Sequence, residues 1–120
     1  MKKLIVLLIL LFPFTALAAD EWTKSEMAWE AAWQFSHGID WLQTRYIAEH
    51  PDDYSEINPI LGDHPSKHEV NVYFAAGAIL HPIISHYLPR KYRGIWQKVT
   101  FSASAACVGW NFSIGVGLEF

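Results

Sequence analysis

Between residues 23 and 49, Met27, Ala28, Ala31, Ala32, Phe35, Ile39, Leu42 and Tyr46 recur at spacings of three and four. That is one apolar stripe of an amphipathic helix, and Glu26, Glu30, His37, Asp40 and Arg45 lie off it. Thr23 followed by Glu26 has capping-box spacing, so the helix is expected to start there and to run to about Glu49. Ser66 with Glu69 repeats the signature and opens a second helix, Lys67 to about Leu88. Its body from Val70 is strongly apolar but holds Asn71, His81, Pro82 and His86, and Pro82, which lacks an N–H, is expected to kink it. Leu88-Pro89 ends this helix, and a short basic turn leads into a third helix starting near Arg93. From Val99 to Gly109 the run is apolar and rich in Ser and Ala, small residues that allow close helix contact in membranes.

The connection from His50 to Ser66 contains Pro51, Asn58-Pro59, Gly62 and Pro65, residues that punctuate regular structure. In the tail, Trp110, Phe112, Ile114, Val116, Leu118 and Phe120 alternate with small or polar residues, a strand-like period. An outer-membrane barrel is excluded, because it needs at least about eight such strands and the preceding sequence reads as helix. The tail is left as a short strand, an extended segment, or a continuation of the third helix to about Asn111.

The first residues add a location. Lys2 and Lys3 precede an apolar run from Leu4 to Phe14, which ends in Ala16-Leu17-Ala18, the layout of an export signal at residues 1–18. The alternative is a helix retained as an anchor. Residues 19–120 then make a single helical domain. Cys107 is the only cysteine, so no intrachain disulfide staples the domain, and its apolar Ser/Ala-rich setting reads as a buried thiol.

Charge is distributed unevenly. From Asp20 to Glu69 there are eleven acidic residues against Lys24, Arg45 and Lys67, whereas Arg90, Lys91, Arg93 and Lys98 have no acidic residue among them. The basic cluster is too short, and too poor in interleaved aromatics, for nucleic-acid binding. Two apolar helices joined by a basic turn fit a transmembrane hairpin with the turn in the cytoplasm and the acidic amino-terminal region outside. A soluble periplasmic bundle with two buried helices is the rival, because both runs carry polar residues.

The strongest polar constellation is His37, Asp40, Gln43, Thr44 and Arg45 on the first helix, with Glu56 and Asn58 in the loop. His37 and Asp40 share a helical face, and such a pair can orient a general base or hold an ion. Further imidazoles come from His64, His68, His81 and His86, of which His81 is the one that could join the cluster. No His-Glu-x-x-His, Cys-x-x-Cys, Gly-x-Ser-x-Gly or phosphate-binding glycine loop occurs, so no catalytic residue, metal or cofactor is assigned. The plainer reading is that these polar groups tie the loop to the helices through hydrogen bonds.

Asp40-Trp41-Leu42-Gln43-Thr44-Arg45, Glu56-Ile57-Asn58-Pro59-Ile60-Leu61-Gly62, His64-Pro65-Ser66 and Tyr73-Phe74 together resemble a pattern of small uncharacterised bacterial and phage proteins. An Asp-x-x-x-Thr helix followed by Glu-x-Asn-Pro looks like that of small integral membrane proteins of unknown function. The resemblance implies a helical, membrane-associated protein and supplies no activity. The expectation is therefore an all-α protein, with a signal helix followed by a small three-helix bundle ending in an apolar hairpin. It would work in the inner membrane, non-catalytically, by packing against lipid or another envelope protein. The alternatives are an enzyme or ion-binding protein built on the polar cluster, and a soluble periplasmic binding module with a groove near Trp29 and Trp33.

Overall fold

Thr23 accepts a hydrogen bond from the Glu26 N–H at 3.1 Å and so starts the first helix where the spacing placed it. The Glu26 carboxylate does not close the box but turns inward to Arg93. The computed structural model describes residues 20–120, and the export signal expected at residues 1–18 lies outside them. Three helices follow in order: α1 (Lys24–Glu49), α2 (Lys67–Tyr87) and α3 (Arg90–Ser113), with no strand among the described residues. A complete capping box formed by Ser66 and Glu69 opens α2, and α3 begins just after Pro89, three residues before Arg93.

Helix α2 runs unbroken through Pro82 for an identifiable reason. Proline at 82 deprives the Ala78 carbonyl of its ordinary helical donor. The Gln34 side chain replaces it, donating from Nε2 to Ala78 O at 2.9 Å. One helix thus repairs the ladder of its neighbour.

The bundle is a layer with α1 in the middle, packed on both α2 and α3. The two arms of the expected hairpin are joined by the turn at Leu88-Pro89 but flank α1 instead of pairing along their length. Hydrogen bonds between α2 and α3 are confined to the turn end, where His81, Ser85, Arg93, Trp96 and Thr100 meet. Towards the other end α1 bonds α2 through His37 and Trp41, and bonds α3 through Gln43.

The loop after α1 is ordered by its own turns. The Asn58 side chain accepts from the Ile60 N–H at 2.9 Å, and the Glu56 N–H donates to Asp63 O at 2.8 Å. Gly62, at φ 80°, supplies the left-handed residue. Beyond α3, Gly115 at φ 90° turns the tail back onto α1, where the Glu119 N–H donates to Leu42 O at 3.0 Å. Val116 is buried, and a Cβ at Gly117 would lie 2.9 Å from the Tyr46 ring. The tail is an extended pad against α1, not a strand in a sheet.

The polarity of the bundle is inverted relative to the reading of an apolar stripe as a core-packing face. On α1, Met27, Ala28, Ala31 and Phe35 are exposed, Phe35 by 73%, while Glu26, Glu30, Ser36, His37, Gln43 and Thr44 are buried. On α2, Val72, Ile79, Leu80 and Ile83 face out while His81 and Ser85 face in. On α3, Ile95, Val99, Trp110 and Phe112 face out, and Arg93, Gln97 and Asn111 face in. Buried apolar side chains among the described residues are Trp33, Ile47, Val70, Phe74 and Val116. Measured by mean hydropathy, no described helix is long and apolar enough to cross a membrane. Such an average merges the two faces of each helix.

Candidate functional site

The polar interior divides into two zones. At the turn end, Arg93 is fully buried on α3 and its guanidinium gathers the chain around it. Nη1 donates to the Glu26 carboxylate at 2.6 Å, and Nε donates to Ser85 O at 2.6 Å. Nη2 reaches Asp20 O, His86 O and Leu88 O at 2.9, 3.0 and 3.3 Å. Ser85, His86 and Leu88 are at the end of α2, where helix carbonyls lack helical partners, so Arg93 acts as the C-terminal cap of α2. The same contact brings Asp20, which accepts from the Arg90 N–H at 2.8 Å, to the basic turn. The acidic amino-terminal residues and the basic turn, expected on opposite sides of a membrane, therefore share one end of the bundle.

One helical turn further in, His81 Nδ1–H donates to both oxygens of Glu30, at 2.9 and 2.8 Å, and Nε2 lies 2.8 Å from the Thr100 hydroxyl. The Thr100 hydroxyl donates to Trp96 O at 2.7 Å. Ser85 donates to Glu30 Oε2 at 3.2 Å, and Gln97 Nε2 donates to Glu26 O at 3.0 Å. The His81 ring is stacked on Trp33 at 3.6 Å between centroids, with Trp96 at 5.1 Å. Carboxylate, imidazole and hydroxyl are thus aligned, but the line is closed in by indoles. It is suited to locking three helices together rather than to receiving a substrate.

The second zone is near the loop. Thr44 donates to Asp40 Oδ1 at 3.4 Å, and burial, with the charge of the Glu56 that the loop inserts, pushes the Asp40 carboxyl up to about 7. Glu56 Oε1 accepts from the Asn58 N–H at 2.9 Å, while Glu56 Oε2 is buried without a hydrogen-bond partner. Gln43 Nε2 donates to Val108 O at 3.2 Å, and Gln43 Oε1 accepts from Asn111 at 3.2 Å.

The constellation read from sequence is therefore split. Asp40, Thr44 and Glu56 come together, with Gln43 beside them on α1 but bonded to α3. His37 turns away from Asp40, donating Nε2–H to Phe74 O at 2.8 Å and stacking on Trp33 at 4.4 Å. Arg45 points to α2 and the tail, donating to Asn71 Oδ1 at 2.8 Å and to Glu119 O at 3.2 Å. Asn58 shapes the loop and His81 belongs to the turn-end zone. Glu26, Glu30, Ser85, Arg93, Gln97, Thr100 and Asn111 are partners not singled out from sequence. The signal that could have found them is the polar stripe Arg93, Gln97, Thr100, Ser104, Asn111, which recurs at helical spacing on α3. Among the described residues, no three of His, Cys, Asp and Glu converge to hold a metal ion. No protein-family model matches the chain, and no curated protein and no solved structure is significantly similar to it.

Proposed function

We propose that this is a small exported envelope protein embedded in the inner membrane, acting without catalysis through packing against lipid or a membrane partner. One observation carries the reading: among the described residues, large apolar side chains line the outer faces of the helices, while most of the buried side chains are polar and hydrogen-bonded. In water this arrangement forfeits hydrophobic burial. In hydrocarbon it is the favourable one, because exposed apolar groups meet lipid and polar groups satisfy one another. On the outer faces between Met27 and Ala48, Val70 and Leu88, and Ile95 and Phe112, the exposed charged residue is Lys98, close enough to the turn end to snorkel. The helices hold 26, 21 and 24 residues, or roughly 30 to 40 Å at 1.5 Å per residue, enough for a hydrocarbon core of about 30 Å. The likeness of the Asp40–Arg45 and Glu56–Gly62 segments to small integral membrane proteins points the same way.

The Asp20 contact supports one orientation within this reading. With Lys2 and Lys3 opening the export signal, the segment after it emerges on the periplasmic side, and the first apolar segment usually dominates topology. The basic turn then lies on the periplasmic side with Asp20, and the loop from His50 to Ser66 faces the cytoplasm. This reverses the hairpin orientation that charge alone implied. The test is carbonate extraction of cells expressing the full chain, combined with labelling of single cysteines placed at Asp53 and Lys91 in a Cys107→Ser background. Retention in the stripped membrane with Lys91→Cys labelled from the periplasm supports the proposal. Release as a soluble protein refutes it.

Ion binding at Asp40 and Glu56 is a second reading, favoured by the buried, unpartnered Glu56 Oε2. It requires a cation-dependent rise in melting temperature that Asp40→Asn removes; a melting temperature indifferent to sodium, potassium, calcium and magnesium would exclude it.

A further inference from the structure

Because α2 and α3 flank α1, one face of α1 stays uncovered and forms the floor of an open groove of about 710 Å³. Phe35, Gly38, Ile39 and Leu42 line it, the tail's Phe120 borders it, and Arg45 lies on the same helical face toward the end of α1. Residue 38 on the groove floor is glycine, and a Cβ built there meets no atom within 4 Å. Glycine inside a helix is less favourable than alanine by about 1 kcal/mol, so an open mid-helix position with no packing reason for glycine calls for another explanation.

Arg45 supplies the second half of the argument. Its guanidinium donates only to uncharged acceptors, the Asn71 amide oxygen and the Glu119 carbonyl, and no ion pair with a carboxylate forms among the described residues. Nη2 has no acceptor in the described chain, leaving part of a fork that matches phosphate oxygens. Lys67, paired with Glu49 at 3.0 Å and with Glu119 at 3.7 Å, marks the water-facing end of the bundle about one turn beyond Arg45. From Arg45 back to Gln34, at the far end of the groove, α1 rises by roughly 16 Å at 1.5 Å per residue. That matches one leaflet of a hydrocarbon core about 30 Å thick.

We propose that the groove holds a single phospholipid of the adjoining leaflet, its phosphate on Arg45 and one acyl chain lying over Gly38 along Leu42, Ile39 and Phe35. This rests on the membrane reading above. The full chain, purified in detergent and stripped of lipid, is titrated with dimyristoylphosphatidylglycerol and examined by native mass spectrometry. The expected result is one tightly held lipid. Arg45→Gln should weaken it about tenfold, the scale of one lost charge-assisted hydrogen bond. Gly38→Leu fills the groove and should abolish binding without lowering the melting temperature, since the new side chain meets open space and favours the helix. Equal lipid binding by wild type and Gly38→Leu, or unchanged affinity in Arg45→Gln, overturns the proposal. So does a dimer that Gly38→Leu dissociates, which would put a second copy in the groove. If wild type stays in the carbonate-stripped membrane while the titration fails, the groove assignment alone is wrong; if wild type leaves the membrane, the membrane reading has failed.

Discussion

Replacing Arg93 by Met tests whether the polar interior holds the bundle together. The substitution roughly preserves volume and removes a guanidinium that is 0% exposed. Three losses follow at once. The Glu26 carboxylate loses its cation, the carbonyls of Ser85, His86 and Leu88 lose the donor that caps α2, and those of Asp20 and Glu21 lose the anchor of the segment before α1. Breaking one side of a buried ion pair typically destabilises by about 3–5 kcal/mol, because the remaining charge is left uncompensated. Against a total stability of roughly 5–15 kcal/mol, that is a large fraction.

Two further variants separate the causes. Arg93→Lys keeps the charge but not the fork, so it should retain the Glu26 pair, lose most of the carbonyl contacts, and fall about midway between wild type and Arg93→Met. Glu26→Leu combined with Arg93→Met removes the stranded charge and should recover about 2 kcal/mol relative to Arg93→Met, leaving only the uncapped carbonyls. The assay is equilibrium unfolding of the detergent-solubilised chain followed by far-ultraviolet circular dichroism. Destabilisation of Arg93→Met by less than about 1 kcal/mol, or a double variant no more stable than the single one, would refute the reasoning, since either result means that Glu26 is not desolvated by the fold.

Gln34→Leu should destabilise the bundle by about 1–3 kcal/mol by orphaning Ala78 O, and adding Pro82→Ala should restore most of the loss by returning a helical N–H to that carbonyl; a double-mutant cycle in the same unfolding assay measures the coupling. Gly77→Ala places a Cβ 2.9 Å from the His37 ring, which is held by Trp33 and Phe74, so it should lower stability by about 1–3 kcal/mol despite alanine's better helix propensity. An unchanged or raised melting temperature would show that His37 is free to move. Ile79→Lys, on the outward face of α2, should disfavour membrane insertion by about 3 kcal/mol and reduce the carbonate-resistant fraction, whereas a protein surrounded by water would accept it.

Local features were the legible ones. Capping spacings placed the starts of α1 and α2, Leu88-Pro89 placed the turn, and Asn58-Pro59 and Gly62 marked the connection as free of regular structure. The facing of α1 was not legible. Met27, Ala31 and Phe35 define one stripe, while Glu26, Glu30, His37 and Thr44 define another at the same helical period, and the period does not say which stripe meets the neighbouring helices. That depends on the medium, which lies outside the 3.6-residue pattern. The Asp40 and Glu56 association was legible as a cluster, whereas His81 was grouped with the wrong carboxylate. Its partner Glu30 is 51 positions away in sequence, and nothing local links them.

Hydrogen bonds of this kind also determine why the bundle has this register and not another. Alanine, serine and glycine on facing helices pack in several near-equivalent ways, so apolar contact specifies α1 against α3 only weakly. Glu26 to Arg93 at one end, Ser36 to Ser104 at 2.7 Å in the middle, and Gln43 to Asn111 at the other end remove that degeneracy, because sliding α3 by one turn would strand all three at once. Helix α2 is pinned by side-chain pairs as well, and in addition by side chains of α1 donating to its main-chain carbonyls at Phe74 and Ala78. Both sets of donors and acceptors come from α1, which is why α1 must lie between the other two helices. That placement leaves its remaining face uncovered by either helix, and the tail packs only on its Leu42–Tyr46 end. The groove at Gly38 is therefore a consequence of how the interior is hydrogen-bonded, and whatever fills it must be supplied by the surroundings.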